Sequence, residues 1–61
     1  MEILKEFIGR NVKIYLENFE FFGKLDKIDN MFLCIINTNG SRSIISILEI
    51  IFIECNDTRG L

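Results

Sequence analysis

Sixty-one residues allow one domain with one core, and a chain of this size buries only about 60% of the surface it exposes when unfolded, so it relies on staples, metal or partners. Two cysteines and no histidine exclude a zinc site within one chain. Seven Lys and Arg against nine Asp and Glu leave a net charge of −2, which tells against a non-specific phosphate binder.

In chain order, the first element is short. Ile3, Leu4, Phe7 and Ile8 fall on one face at helical spacing, and Gly9 follows as a natural terminator. So short a helix has to lie against something apolar. Glu2, Lys5 and Glu6 interrupt the apolar residues, so the N-terminus reads as lacking a secretory leader.

From Asn11 the period changes to two. Val12, Ile14 and Leu16 alternate with Lys13, Tyr15 and Glu17, the pattern of a half-buried strand. Glu17 and Asn18 read as a turn, Asn18 being able to tolerate a left-handed backbone. The second strand puts Phe19, Phe21, Gly23 and Leu25 on one side and Glu20, Phe22, Lys24 and Asp26 on the other. Its alternation slips between Leu25 and Ile28, which predicts a bulge or bend with Gly23 just upstream. Phe22 sits on the more polar side and is expected to pack under the helix with Leu4 and Phe7.

Asp29 and Asn30 read as the next turn and Met31–Ile36 as a third strand. Asn39-Gly40 is the strongest hairpin signal in the chain, suited to a turn with positive φ. Arg42–Ile47 and Ile50–Cys55 read as two further strands, and residues 56–61 as a flexible tail after a domain spanning residues 1–55. The pattern is mainly β: a short helix and five strands forming a small, strongly bent antiparallel barrel.

The segment from Ser43 to Glu54 reads as a terminal hairpin with both faces apolar. So small a chain cannot cover two such faces, and an exposed apolar edge promotes aggregation. The predicted solution is self-association, with Ile44, Ile45, Ile47, Ile50, Ile51, Phe52 and Ile53 at the contact. Burying four of these side chains would contribute on the order of 6–12 kcal/mol.

Ile8-Gly9, Val12, Ile14 and Leu16, then Phe21-x-Gly23-x-Leu25-x-x-x-Asp29 with Asn30-Met31 beside it, resemble the first motif of the Sm-like (LSm/Hfq) proteins across nearly the whole chain. The Gly-x-Leu-x-x-x-Asp spacing is the specific part. The resemblance implies an SH3-like barrel of the Sm type and a homo-oligomeric ring in which the fourth strand of one copy pairs with the fifth of the next. It also implies single-stranded RNA, U- or A-rich, held by the loop after the second strand. By position, that assigns Asp29, Asn30, Met31 and Phe32, with Lys27 beside them. The chain departs from the pattern: the turn after Leu16 is one residue shorter than usual, and the histidine and lysine of the bacterial branch are missing. Phe19 replaces a common glycine, Asn30 precedes Met31, and Ser46-Ile47 stand where the family carries Arg-Gly; Arg59-Gly60 falls after the fifth strand.

Each of these residues also has an ordinary reading. Asn30 can contact a base edge, with a stacking surface beside it, or close an Asx turn. Lys24, Lys27 and Arg42 can gather against phosphate or remain solvated charges. Asp26 and Asp29 have no histidine, serine constellation or metal set beside them, so neither an enzyme nor a cofactor is expected. A ring of the same fold serving as a scaffold is the alternative function. No apolar run reaches the roughly 20 residues of a membrane span. Cys34 and Cys55 are expected to be reduced, buried and without a cationic neighbour, as in a cytoplasmic protein.

Overall fold

The structure, a computed structural model, describes residues 2–55. The tail predicted over residues 56–61, with its Arg59-Gly60 pair, lies outside the described residues. Five strands form one antiparallel sheet: β1 Asn11–Tyr15, β2 Glu20–Ile28, β3 Phe32–Asn37, β4 Arg42–Ser46 and β5 Phe52–Cys55. They follow α1, Glu2–Lys5, and a 3-10 turn over Ile47–Glu49 separates β4 from β5. Among the described residues, no helix is long and apolar enough to cross a membrane.

The period-two pattern sets which face is buried. Val12 and Ile14 of β1, Leu25 of β2, and Leu33 and Ile35 of β3 have no exposed surface, and Ile45 of β4 and Leu4 of α1 join them. The helix is one turn, shorter than the apolar spacing suggested, and it docks through Leu4 with Phe7 packed beside it. Gly9 ends this segment at φ +91°, a conformation open to glycine at little cost, and its N–H donates to the Leu25 carbonyl at 2.7 Å.

Strand β2 bulges where the alternation slips. Leu25 lies opposite Ile35, but Lys27, two residues on, lies opposite Cys34. The extra residue lets Leu25 and Ile28, three apart, both turn toward the core. Gly23 answers a different need, close approach. A Cβ there would fall 2.6 Å from Cγ2 of Ile35 and against the Ile36 carbonyl oxygen. No other residue fits without moving the backbone of β3.

Several expectations are corrected. The sheet is open, ordered β4-β3-β2-β1-β5, and does not close into a barrel. The predicted terminal hairpin does not exist: the 3-10 turn carries the chain across the sheet end, so β4 pairs with β3 and β5 with β1. The two strands are opposite edges. Asn18 is not left-handed, because no residue other than glycine among those described has positive φ; a Leu16 N–H to Phe19 carbonyl bond of 2.8 Å closes that turn without it. At the β3–β4 turn only Gly40 has positive φ. The Gly40 N–H donates to the Asn37 carbonyl and the Asn37 N–H to the Ser41 carbonyl, giving a three-residue loop with glycine in the left-handed place. Phe22 does not lie under the helix. It stands opposite Lys13 on the outer face, 44% exposed, because strict alternation puts it on the reverse side from Phe21 and Gly23.

Gly23→Ala should destabilise the fold by roughly 1–3 kcal/mol, the usual cost of overpacking. The midpoint of urea unfolding measures it, and an unchanged midpoint would show that β2 and β3 can separate freely.

Candidate functional site

The predicted nucleic-acid residues cluster at the β2–β3 connection, where backbone bonds hold the chain. The Asp29 N–H donates to the Phe32 carbonyl at 2.8 Å. The Asp29 side chain accepts the Asn30 N–H at 2.7 Å, one residue on and so short of the two-residue reach of an Asx turn, and Asn30 is exposed. The Met31 carbonyl accepts the Ile47 N–H at 2.8 Å, fastening this loop to the start of the 3-10 turn. Met31 and Phe32 both show nearly half of their surface to solvent.

These residues do not share one recess. Lys27, Asp29 and Phe32 line a shallow groove of about 380 Å³ with Cys34, Arg42 and Ile44. Asn30 lines another with Lys5, Ile28 and Asp29. Asp29 stands between the two. The bulge after Leu25 is what turns Lys27 outward to Cys34's side of the sheet.

Arg42 is already engaged. Its Nη1 lies 2.8 Å from Oδ2 of Asp26 and 3.8 Å from Sγ of Cys34, and the Cys34 sulfur and Asp26 carboxylate both hold the guanidinium above its ordinary pKa. Two expectations change accordingly. Cys34 has a cationic neighbour, because Ile44 sits directly opposite it and Arg42 is two residues along the same face. Both thiols are half-buried, not enclosed. The basic patch of Lys24, Lys27 and Arg42 is also partly neutralised by Asp26.

A second cluster lies on the outer face of β1 and β5, unanticipated in the sequence. The Tyr15 and Phe52 rings stack with centroids 4.2 Å apart and planes 15° apart. The Tyr15 hydroxyl donates to Oε1 of Glu54 at 2.7 Å. Lys13 places Nζ 3.2 Å from Oε1 of Glu20 and 5.6 Å from the centre of the Tyr15 ring. Lys13 and Tyr15 are visible as the polar side of β1, but their partners depend on β5 pairing with β1, which the sequence does not encode locally.

The predicted contact residues divide into two groups. Ile45 is buried, and Ile47, Ile50 and Ile53 pack against the core. Ile44, at 71% exposure, Ile51 at 62% and Phe52 at 54% remain uncovered. Ile51, Phe52 and Ile53 line an apolar groove of about 300 Å³ with Ile3, Leu4 and Phe7. Ile44 lies on one free edge of the sheet, and Ile51 and Phe52 at the other. Among the described residues no group of three His, Cys, Asp or Glu is placed to hold a metal.

Glu54 accepts from the neutral phenol, and its charge further disfavours phenolate, so the Tyr15 pKa rises above its ordinary 10.0, with burial acting in the same direction. The folded state therefore holds that proton more tightly than the unfolded state. This contribution to stability is complete below pH about 10 and is lost as pH rises through the raised value. Tyr15 is the only tyrosine, so phenolate absorbance reports it alone. Glu54→Gln should bring the titration back toward the ordinary range; an identical curve in the variant would show that Glu54 is not the cause.

Comparison with family models, curated proteins and solved structures returns no match.

Proposed function

We propose that this chain is a Sm-like module that assembles head to tail through β4 and β5 into a ring and binds short U- or A-rich single-stranded RNA in the cytoplasm. One observation carries the assembly. Among the described residues both outer strands have unpaired edges, and three of the ten large apolar residues left exposed, Ile44, Ile51 and Phe52, lie on or beside them. Pairing edge to edge between copies satisfies the open backbone groups and removes these side chains from water together, each contributing about 1.5–3 kcal/mol if fully buried. Successive copies present different strands, so the contact is head to tail, and a rotation that closes makes a ring. The Gly23-x-Leu25-x-x-x-Asp29 spacing supports the family reading. The RNA reading rests on the exposed Asn30 amide beside Met31 and Phe32, a hydrogen-bonding group next to surfaces on which a base can stack.

A second reading keeps the ring and removes the RNA. It is favoured by the Arg42–Asp26 pair, which occupies a cation otherwise available to phosphate. The Ser46–Glu49 connection, which carries Glu49 and no Arg-Gly, favours it too. In that case the ring serves as a scaffold or a protein-binding subunit.

Fluorescence anisotropy with oligo-U and oligo-A at two salt concentrations separates the readings. RNA binding predicts saturable titration that weakens as salt rises, and Asn30→Ala should weaken it by roughly 1–3 kcal/mol without changing oligomer size. A flat titration for both oligonucleotides selects the scaffold.

Light scattering at micromolar concentration tests the assembly itself, and a stable folded monomer of about 7 kDa would refute it. Ile51→Lys should dissociate the ring into folded subunits because Ile51 is exposed. Ile53→Lys should unfold the protein because Ile53 packs on its own core. Circular dichroism distinguishes the two outcomes.

A further inference from the structure

Every neighbouring pair of strands in the sheet is antiparallel, and for an edge contact of the same kind the backbone bonds limit how the two edges can meet. A strand in an antiparallel sheet turns the N–H and C=O of successive residues alternately to one neighbour and the other. On the β3–β4 ladder, which sets Leu33 opposite Ile45 and Ile35 opposite Ser43, the Ile47 N–H donates to the Met31 carbonyl and the Asn37 N–H to the Ser41 carbonyl. Odd-numbered residues of β4 therefore direct their groups at β3. Arg42, Ile44 and Ser46 direct theirs to the open side.

The other edge has the opposite phase. The Leu16 N–H donates to the Phe19 carbonyl and the Leu25 N–H to the Arg10 carbonyl, so even-numbered residues of β1 face β2. Lys13 and Tyr15 then face β5, where Glu54 and Phe52 lie opposite them. Ile53 and Cys55 are left with open groups. The side chains complete the constraint. Arg42 and Ile44 stand on the exposed face of β4, whereas Ile53 turns toward the core side of β5 and Cys55, two residues on, shares that face.

Residues bonded directly opposite one another in an antiparallel pair carry their side chains on the same face. Joining the edges in that sense therefore turns the second copy over, so that the core side of its β5 continues the outer side of β4. We propose that the partner of this edge is a second copy of the chain seated in this inverted sense, with Arg42 opposite Cys55, Ile44 opposite Ile53 and Ile45 opposite Phe52 of the second copy. This rests on the head-to-tail assembly proposed above.

Among the antiparallel arrangements that bond open groups to open groups, this one overlaps all of β5, residues 52–55, with four of the five residues of β4, residues 42–45. It sets the exposed Ile44 against an isoleucine and places the exposed Phe52 over the rim of the core beside Ile45. Shifting β5 by two residues one way puts Glu54 opposite Ile45, and the other way leaves two residues of each strand paired. Pairing β4 with a second β4 would satisfy one edge and leave Ile51 and Phe52 uncovered in both copies. The head-to-tail contact uses both edges of every copy.

Cysteine coupling in the full chain tests the arrangement. Directly opposed bonded residues have Cα atoms about 5.5 Å apart, within disulfide range. In a Cys34→Ser background, Arg42→Cys under mild oxidation should couple to Cys55 of another copy, giving multimers on non-reducing gels that vanish with Cys55→Ser. Ser43→Cys with Glu54→Cys, on a background carrying both Cys34→Ser and Cys55→Ser, should couple likewise and leaves Arg42 untouched. Coupling of Ile44→Cys to Cys55 in place of these pairs overturns the register. Coupling of Ile44→Cys to itself when Cys55 is serine overturns the head-to-tail sense. Absence of coupling from both predicted pairs, in protein that light scattering shows to be assembled, overturns the inverted arrangement while leaving the ring. A monomer by light scattering overturns the assembly and the register together.

Discussion

The backbone of Leu25 is the point on which the fold depends. Its N–H donates to the Arg10 carbonyl and its carbonyl accepts the Gly9 N–H, so the N-terminal segment is tied to the sheet through one residue. Its side chain is fully buried, it pairs with Ile35 of β3, and the bulge begins just after it. Two positions earlier, Gly23 lets β3 come closer than any side chain would permit. Helix, β1, β2 and β3 are therefore positioned together within three residues.

The bulge also shapes the surface. By adding a residue to β2 it keeps Leu25 and Ile28 on the core side and turns Lys27 outward beside Cys34 and Phe32. The groove at the β2–β3–β4 end is in this sense a by-product of core packing. Asp26, in the bulge, reaches Arg42 across the sheet, so the same irregularity presents the Lys27 cation and a carboxylate that neutralises Arg42. An ion pair this exposed is worth little in stability. Its effect is on the surface potential that an anionic ligand would meet.

Among the described residues, the side chains of one face and a single helical turn cover one side of the five-stranded sheet, and the outer strands keep free edges. A closed barrel would remove the edges, but the 3-10 turn takes β5 to β1 and leaves β4 at the far side. Both edges carry exposed apolar residues on or beside them, Ile44 at one and Ile51 and Phe52 at the other, next to the single charges of Arg42 and Glu54, and neither strand holds a proline.

Much of the strand content was legible in the sequence because strand periodicity and turn chemistry are local. The alternation through Val12, Ile14 and Leu25 marked the buried face, the slip between Leu25 and Ile28 marked the bulge, and Gly9 marked the end of the helical segment and Asn39-Gly40 the positive-φ turn. Met31–Ile36, apolar at every position, did not show which of its faces is buried. The loop of Asp29–Met31 was legible as a turn, but which side chain bonds its backbone was not, since Asp29 and Asn30 can both play that part. The order of the strands was decided only by the tertiary structure. Two apolar segments adjacent in sequence read as a hairpin, yet pairing depends on which edge each finds open, and β1 offers β5 a ladder that β4 is not positioned to offer. The Tyr15–Phe52–Glu54 cluster and the Cys34–Arg42 contact share that cause: both join residues from different strands, and their proximity follows from strand order and register, which no local pattern encodes.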